Sequence, residues 1–267
     1  ETHYQESLGK LKGDDPLSLY FHLPFCKRLC HFCGCMQVIT TRQERSQEYL
    51  EAILLEMERV TSFITASQKK VSQVHLGGGT PNFFLPEEIA TLFEGIHKHF
   101  NVLPDAEIAI EMHPRTHTEA FCDQLKKLNF NRISLGVQDF TPKVQELINR
   151  FQTYETTKDM IDYLRSLDFD AFNFDLIYGL PGQTLEGWGQ TLERVIDLNP
   201  DRLAIYNYAH VPWMRPIQRS FKDSDIPSPD LKLQLLELAH STLTQKGYRH
   251  IGMDHYALED DTLSHAL

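Results

Sequence analysis

The sequence predicts an α/β fold, a partial (β/α)6 barrel with extra C-terminal elements. Strand-like and helix-like runs alternate along the chain, the residues best suited to chemistry fall just after the strand-like runs, and the alternation stops near residue 210. Residues 1–16 are read as an N-terminal extension, 17–210 as the barrel core and 211–267 as a post-barrel loop, helix and strand.

In chain order, the β-type run 17–25 leads into an amphipathic helix near 45–62, and the run 73–76 into a helix at 86–99. The run 107–112 precedes a helix near 119–128, and 132–137 precedes two helical stretches at 142–150 and 156–167. Residues 171–178 precede a helix at 185–198, and 203–208 supply a sixth strand. Strands joined through helices run parallel, so the sheet is expected to carry its helices outside it. The Pro-containing residues 211–229 read as loop, 230–246 as a helix and 248–254 as one more strand.

With 267 residues, 41% of them hydrophobic, the chain is long enough to bury a sizeable core. A formal charge of -11 argues against non-specific binding to nucleic acid or an anionic membrane, and no apolar run is long enough to span a bilayer. An anionic ligand must therefore be held by local basic groups. The chain begins at Glu1 rather than Met, so its ends carry no argument.

Four of the five cysteines, Cys26, Cys30, Cys33 and Cys35, lie within ten residues directly after the first strand-like run. Such density calls for a thiophilic partner, and a C-x3-C-x2-C triad on one loop suits three corners of a cubane iron-sulfur cluster with one iron left open. Disulfides fit poorly with an odd cysteine count and no signal peptide. A structural zinc site lacks a second ligand pair. A four-cysteine electron carrier that uses Cys35 is awkward, because Cys33 and Cys35 are only two apart, yet spacing alone leaves it open.

In parallel βα folds the loops at the carboxyl ends of the strands converge, and the unusual residues of this chain fall there. The cysteine loop follows strand one and Gly77-Gly78-Gly79-Thr80-Pro81 follows strand two; Glu111 ends strand three, Gln138 and Asp139 end strand four, Asp175 and Gly179 to Gly182 end strand five, and Asn207 to His210 end strand six. The triple glycine is not a nucleotide-triphosphate loop, since no Gly-Lys-Ser/Thr follows it. Without Cβ atoms its backbone can approach a ligand closely, and an α-amino acid end would suit it, with Glu111 available to the ammonium.

Taken together, Ser18-Leu19-Tyr20-Phe21-His22-Leu23-Pro24-Phe25-Cys26, the Cys33-Gly34-Cys35 ending, Gly77 to Pro81, Gly136-Val137-Gln138-Asp139-Phe140, Asn173-Phe174-Asp175 with Gly179-Leu180-Pro181, Tyr206 to His210, and Gly252-Met253-Asp254-His255-Tyr256-Ala257 are specific strings. On them the chain resembles the radical S-adenosylmethionine enzymes and, within these, the oxygen-independent coproporphyrinogen III oxidases, from residue 17 to 257.

The resemblance implies that Cys26, Cys30 and Cys33 ligate a [4Fe-4S] cluster whose fourth iron is chelated by S-adenosylmethionine, with Cys35 not a ligand. It also implies a second S-adenosylmethionine. Tyr20, Gly78 and Glu111 match contacts of the cluster-bound molecule, and Phe32, Gly79, Thr80, Gln138, Arg150, Asp175 and Ala209 match contacts of the second. Tyr20 and Cys35 take the catalytic places. The implied reaction converts two propionates of coproporphyrinogen III to vinyl groups, giving protoporphyrinogen IX, through a 5'-deoxyadenosyl radical. An electron donor that reduces the cluster, a monomeric cytoplasmic protein and a further C-terminal domain beyond this chain are implied with it.

For the substrate, Arg215, Arg219 and Lys222 are candidates for a basic lining, and Tyr20, His22, His210 and His255 for positioning or proton relay. Cys122 reads as a buried structural thiol. Two other resemblances within the superfamily are a haem-binding chaperone and an anaerobic haem-degrading methyltransferase; Cys35 and the run Gly252 to His255 favour the oxidase.

Overall fold

A computed structural model describes residues 2–11, 15–65 and 69–266. They fall into two compact units, one made of 1–27, 36–111 and 116–132 and the other of 28–35, 112–115 and 133–267.

The first unit opens with helix α1 (Thr2–Gly9), within the expected N-terminal extension. Strand β1 (Leu17–Leu23) ends before Pro24, which cannot donate to a ladder, and a two-residue strand β2 (Phe25–Cys26) pairs with β3 (Val38–Ile39) instead. The single run read at 17–25 is therefore broken at the proline, and this turns Cys26 out of the main sheet. Helix α2 (Glu44–Thr61), strand β4 (Lys70–Gly78), helix α3 (Pro86–His99), strand β5 (Asn101–Met112) and helix α4 (Glu119–Lys127) follow. β1, β4 and β5 are parallel neighbours in that order, with Leu23 opposite Gly78 and Leu76 opposite Ile110. Ile89, Leu92, Phe93 and Ile96 of α3 recur at helical spacing and are buried with Val74, Leu76, Ile108 and Ile110 of the strands.

The second unit carries β6 (Arg132–Gln138), α5 (Pro142–Leu147), α6 (Tyr154–Ser166), β7 (Phe172–Tyr178), α7 (Leu185–Asp197) and β8 (Arg202–Asn207). β6, β7 and β8 are parallel and consecutive. After α8 (Pro229–Gln245), the run 248–254 read as one last strand holds β9 (Arg249–Gly252) and a turn, and a further strand β10 (His255–Ala257) follows it, antiparallel to both β9 and β8. Gly252 at φ 146° and Met253 at φ 50° turn the chain back, a conformation that alternation of apolar residues does not reveal.

One device ends several helices in both units. Asn129, Asn149, Asp168 and Gly247 sit at φ 59°, 55°, 59° and 91°, and the amide of the next residue returns to the last turn: Phe130 to the Leu125 carbonyl, Arg150 to Gln145, Phe169 to Leu164 and Tyr248 to Leu243, at 2.9 to 3.1 Å. Asn, Asp and Gly tolerate the left-handed region, and the returning bonds satisfy carbonyls that the helix leaves open. At α5 this fixes the backbone of Arg150, a predicted ligand contact, immediately beyond the helix. No helix among the described residues is long and apolar enough to cross a membrane.

Candidate cofactor site

In the first unit, the ends of β1, β4 and β5 gather Tyr20, His22, His75, the glycine run and Glu111. Tyr20 lies opposite His75 in the β1–β4 register, and their rings stack 5.8 Å apart at 19°. His75 Nε2 donates to Glu111 Oε1 at 3.1 Å, and the Gly78 amide donates to Glu111 Oε2 at 3.0 Å. The Met36 carbonyl accepts from His22 Nε2 at 2.8 Å, and the Tyr20 hydroxyl is hydrogen-bonded to His22 Nδ1 at 3.1 Å. The glycines are what let these side chains meet. A Cβ on Gly77 would stand 2.6 Å from Glu111 Oε1 and 2.9 Å from the Tyr20 ring, and one on Gly78, at φ +114°, would stand 2.6 Å from the His22 ring.

Cys26 Sγ and Thr80 Oγ1 are hydrogen-bonded at 3.3 Å, which ties the first cysteine to the residue that closes the glycine run. Thr80 and Gly79 are themselves fixed by backbone bonds to the Phe25 and Leu23 carbonyls, both 2.9 Å.

In the second unit the cysteine loop is stitched to its neighbours on both flanks. On one side Asn149 Nδ2 donates to the Leu29 carbonyl at 2.9 Å, the His31 amide donates to the Ile148 carbonyl at 2.9 Å, and Arg150 Nη1 reaches Cys30 Sγ at 3.8 Å. On the other, Gln218 donates to the Phe32 carbonyl at 3.4 Å and Arg215 donates to the Gly34 carbonyl. Phe32 packs against a buried cluster of Val144, Ile148, Ile177, Leu180, Tyr208 and Phe221. A hydrogen bond with Cys35, together with burial, holds the Cys33 thiol well above its usual pKa. The three predicted ligand thiols thus have separate partners, and among the described residues no three His, Cys, Asp or Glu groups are gathered as for a single metal ion.

β6 and β7 present a polar face made by alternation. Ser134 and Gly136 lie opposite Asn173 and Asp175, while Phe172, Phe174 and Leu176 point into the core. Asn173 Nδ2 donates to both Ser134 Oγ (2.8 Å) and Asp175 Oδ1 (3.0 Å). Gln138 ends β6 at φ 66°, and a Cβ on Gly136 would stand 2.8 Å from its Nε2 and 3.0 Å from Arg150 Nη2, which donates to the Gly136 carbonyl. Gln138 and Arg150 are both buried, and among the described residues Gln138 Oε1 and Arg150 Nε have no hydrogen-bond partner. Buried polar atoms of that kind are costly, and a water or a polar group of a ligand would satisfy them.

Next to Gln138, Asp139 is fully buried and takes a different part. Its carboxylate accepts from the Thr141 amide, Thr191 Oγ1 and Gln183 Nε2 at 2.6, 3.3 and 2.7 Å, and burial raises its pKa despite those bonds. It organises the turn after β6. Cys122 is buried on α4, where burial pushes its thiol up to about 12, in keeping with a structural role. Two of the proposed substrate cations are otherwise engaged, Arg215 at the Gly34 carbonyl and Arg219 Nε at the Pro212 carbonyl (3.1 Å).

Sequence reasoning missed His75, His113, Asn149 and Gln218. His75 was accessible in principle, because Gln73, His75 and Gly77 alternate with the buried Val74 and Leu76. Gln218 left no signal in a loop-like segment. His113 accepts the Arg115 amide on Nδ1 at 3.3 Å, and burial, followed by Arg150 and Arg115, lowers its pKa to about 2. It stays neutral in the folded protein, whereas the unfolded chain takes up a proton near pH 6.5. This contribution to stability is complete above pH 6.5 and is lost as pH falls toward the folded value, by up to about 1.4 kcal/mol per pH unit. Denaturant titrations between pH 7 and 5 are expected to show a shallower pH dependence for His113→Gln than for the unaltered chain. Equal slopes would remove His113 from the acid response.

The chain thus has a thiol-rich loop after its first strand, a glycine cradle after the next main strand and, on a buried face of its second unit, two polar atoms open to a ligand. The chain belongs to the radical SAM superfamily, whose family model matches residues 20–195. With that membership come the superfamily's cofactors, a [4Fe-4S] cluster and S-adenosylmethionine. The chain is 46% identical over 93% of its length to an oxygen-independent coproporphyrinogen III oxidase of Escherichia coli (strain K12), and 44% identical over 96% to the one from Pseudomonas aeruginosa. It covers 54% and 56% of those proteins, so it spans about half the length of the curated relatives it matches. The solved structure of coproporphyrinogen III oxidase (HemN) from Escherichia coli, described as a radical SAM enzyme, superposes on 100% of this chain with a TM-score of 0.94 and 43% identity, the chain covering 61% of it. The expected α/β class, a mainly parallel sheet with helices, is thereby established.

Proposed function

We propose that this chain carries the radical chemistry of an oxygen-independent coproporphyrinogen III oxidase: oxidative decarboxylation of two propionates of coproporphyrinogen III to vinyl groups, yielding protoporphyrinogen IX. The 46% identity to an enzyme of that name, over 93% of the chain, supports the reading most strongly. Cys35 and the run Gly252 to His255 favour it over a haem chaperone or a haem-degrading methyltransferase.

Cys26, Cys30 and Cys33, within eight residues of chain, supply the cluster's thiolates. Bound together, cluster and nucleotide supply one-electron cleavage of a carbon-sulfur bond and so a radical able to take a hydrogen atom. Glu111, already holding the Gly78 amide and His75, offers a carboxylate to the nucleotide's ammonium, and Gly78 brings its backbone close. Tyr20, hydrogen-bonded to His22 and stacked on His75, is held rigidly beside that carboxylate. A second nucleotide is placed by Phe32, Gly79, Thr80, Gln138, Arg150, Asp175 and Ala209: Phe32 offers a flat face to adenine, Asp175 accepts from ribose hydroxyls and Arg150 donates to a carboxylate. Cys35 and Tyr20 act on the reacting groups. The protein works as a cytoplasmic monomer with an external electron donor.

Holoprotein incubated anaerobically with S-adenosylmethionine, reductant and coproporphyrinogen is expected to give the divinyl product by mass spectrometry. Asp175→Ala should weaken one of two nucleotide sites about tenfold or more, as loss of a charge-assisted hydrogen bond worth roughly 1.5–3 kcal/mol requires, and reduce turnover. Unturned substrate together with tight haem binding would favour the chaperone. A single nucleotide site supporting full turnover would leave Phe32, Gln138, Arg150 and Asp175 structural.

A further inference from the structure

The carbonyls on either side of Cys33 are held by two side chains of the segment that follows β8. Gln218, only 1% exposed, lies in the short 3-10 turn Pro216–Ser220. Its Nε2 donates to the Phe32 carbonyl at 3.4 Å and to the Ala209 carbonyl at 3.2 Å, while its Oε1 accepts the Val211 amide at 2.6 Å. Arg215 donates to the Gly34 carbonyl. The turn is itself rigid: the Met214 and Arg215 amides return to the Val211 carbonyl and the Gln218 amide to Arg215, each at 2.9 Å. Phe221, at its end, packs edge-on to Tyr208 at 6.2 Å and near the His31 ring, also at 6.2 Å. One buried amide therefore uses both of its N–H groups and its oxygen to tie the cysteine loop to the exit of β8.

We propose that Gln218 and Arg215 are positioning residues that latch residues 32–34, so that the post-barrel segment is a working part of the cofactor site rather than a linker. The latch sets Cys33 for the cluster, and through one amide it fixes the spacing of Phe32 and Ala209, the two predicted walls of the second nucleotide. The inference rests on the proposed roles of those three residues. A donor amide suits the place because both targets are carbonyls that would otherwise be left without a donor from this segment. Glutamate at 218 would set carboxylate oxygens against the same two carbonyls, and leucine would fill the space with no donor at all.

The test uses anaerobically reconstituted holoprotein carrying Gln218→Leu, Gln218→Glu, Arg215→Ala or Arg215→Lys. Arg215→Ala, at a partly exposed position, guards against variants that fail to fold. The measurements are iron per chain, the rate of cluster loss to a chelator well below the unfolding temperature, the change in the reduced cluster's electron paramagnetic resonance spectrum on adding S-adenosylmethionine, and nucleotide affinity. Gln218→Leu, Gln218→Glu and Arg215→Ala are expected to load a cluster, to lose it about tenfold faster and to bind nucleotide about tenfold more weakly, with Arg215→Lys restoring much of the loss. Chelator rates and affinities equal to those of the unaltered chain would overturn the latch while leaving the cluster assignment intact. A Cys33→Ala protein that keeps its cluster would instead overturn the assignment and the latch with it.

Discussion

Cys26→Ala, Cys30→Ala and Cys33→Ala are each expected to abolish stable cluster assembly, whereas Cys35→Ala keeps about four irons per chain after anaerobic reconstitution. A cluster held by the three proposed thiolates would have no spare ligand among them. At two of the three positions the hydrogen-bonded neighbour is not a soft donor: Cys26 faces Thr80 and Cys30 faces the guanidinium of Arg150. Cys33, in contrast, has the Cys35 thiol beside it, which makes Cys33→Ala the most demanding of the three tests. In protein with its cluster intact, S-adenosylmethionine should change the electron paramagnetic resonance spectrum of the reduced form, because an open iron is available to it. Iron content and visible absorption of Cys30→Ala indistinguishable from the unaltered chain would defeat the ligand set. A spectrum indifferent to the nucleotide would make the four-cysteine electron carrier the better account.

Gly79→Ala is expected to destabilise the chain strongly. Its Cβ would stand 2.5 Å from the carbonyl carbon and oxygen of Pro24 and 2.9 Å from the Phe25 carbonyl oxygen. These are backbone atoms, and the same stretch is locked by the Gly79 amide on Leu23 and the Thr80 amide on Phe25, so relief requires breaking one of those bonds. Overpacking of this kind typically costs about 1–3 kcal/mol, and contact with backbone rather than with a movable side chain places it at the upper end. The displaced residues would include Cys26 and Thr80, so cluster retention should fall along with stability. Gly34→Ala is the control: nothing lies within 4 Å of its Cβ, and its unfolding midpoint should be unchanged. Denaturant unfolding of the cluster-free chains decides the matter, and equal midpoints for Gly79→Ala and the unaltered protein would contradict the steric argument.

The order of strands and helices, the cysteine loop and the glycine run were legible in the chain because each depends on short-range regularity. Alternation of apolar residues marks β6 and β7, helical spacing marks α3, and Asn or Gly after the last turn matches the left-handed stops at Asn129, Asn149 and Gly247. Local reading failed where one residue's backbone choice outweighed the pattern, at Pro24, which splits the first run, and at Gly252 and Met253, which end the last expected strand early and turn the chain back into β10.

By itself, then, the sequence determined the α/β class and the superfamily, and it singled out the thiols and glycines proposed to meet the cofactors. Tertiary structure decided what holds them. Asn149 reaches Leu29 from 120 residues away and Arg215 reaches Gly34 from 181, His75 becomes the partner of Glu111 across two strands, and Gln138 and Arg150 share the space that Gly136 leaves. Periodicity and capping are settled within a few residues, whereas a hydrogen bond between distant side chains and backbone exists only where folding has brought donor and acceptor together.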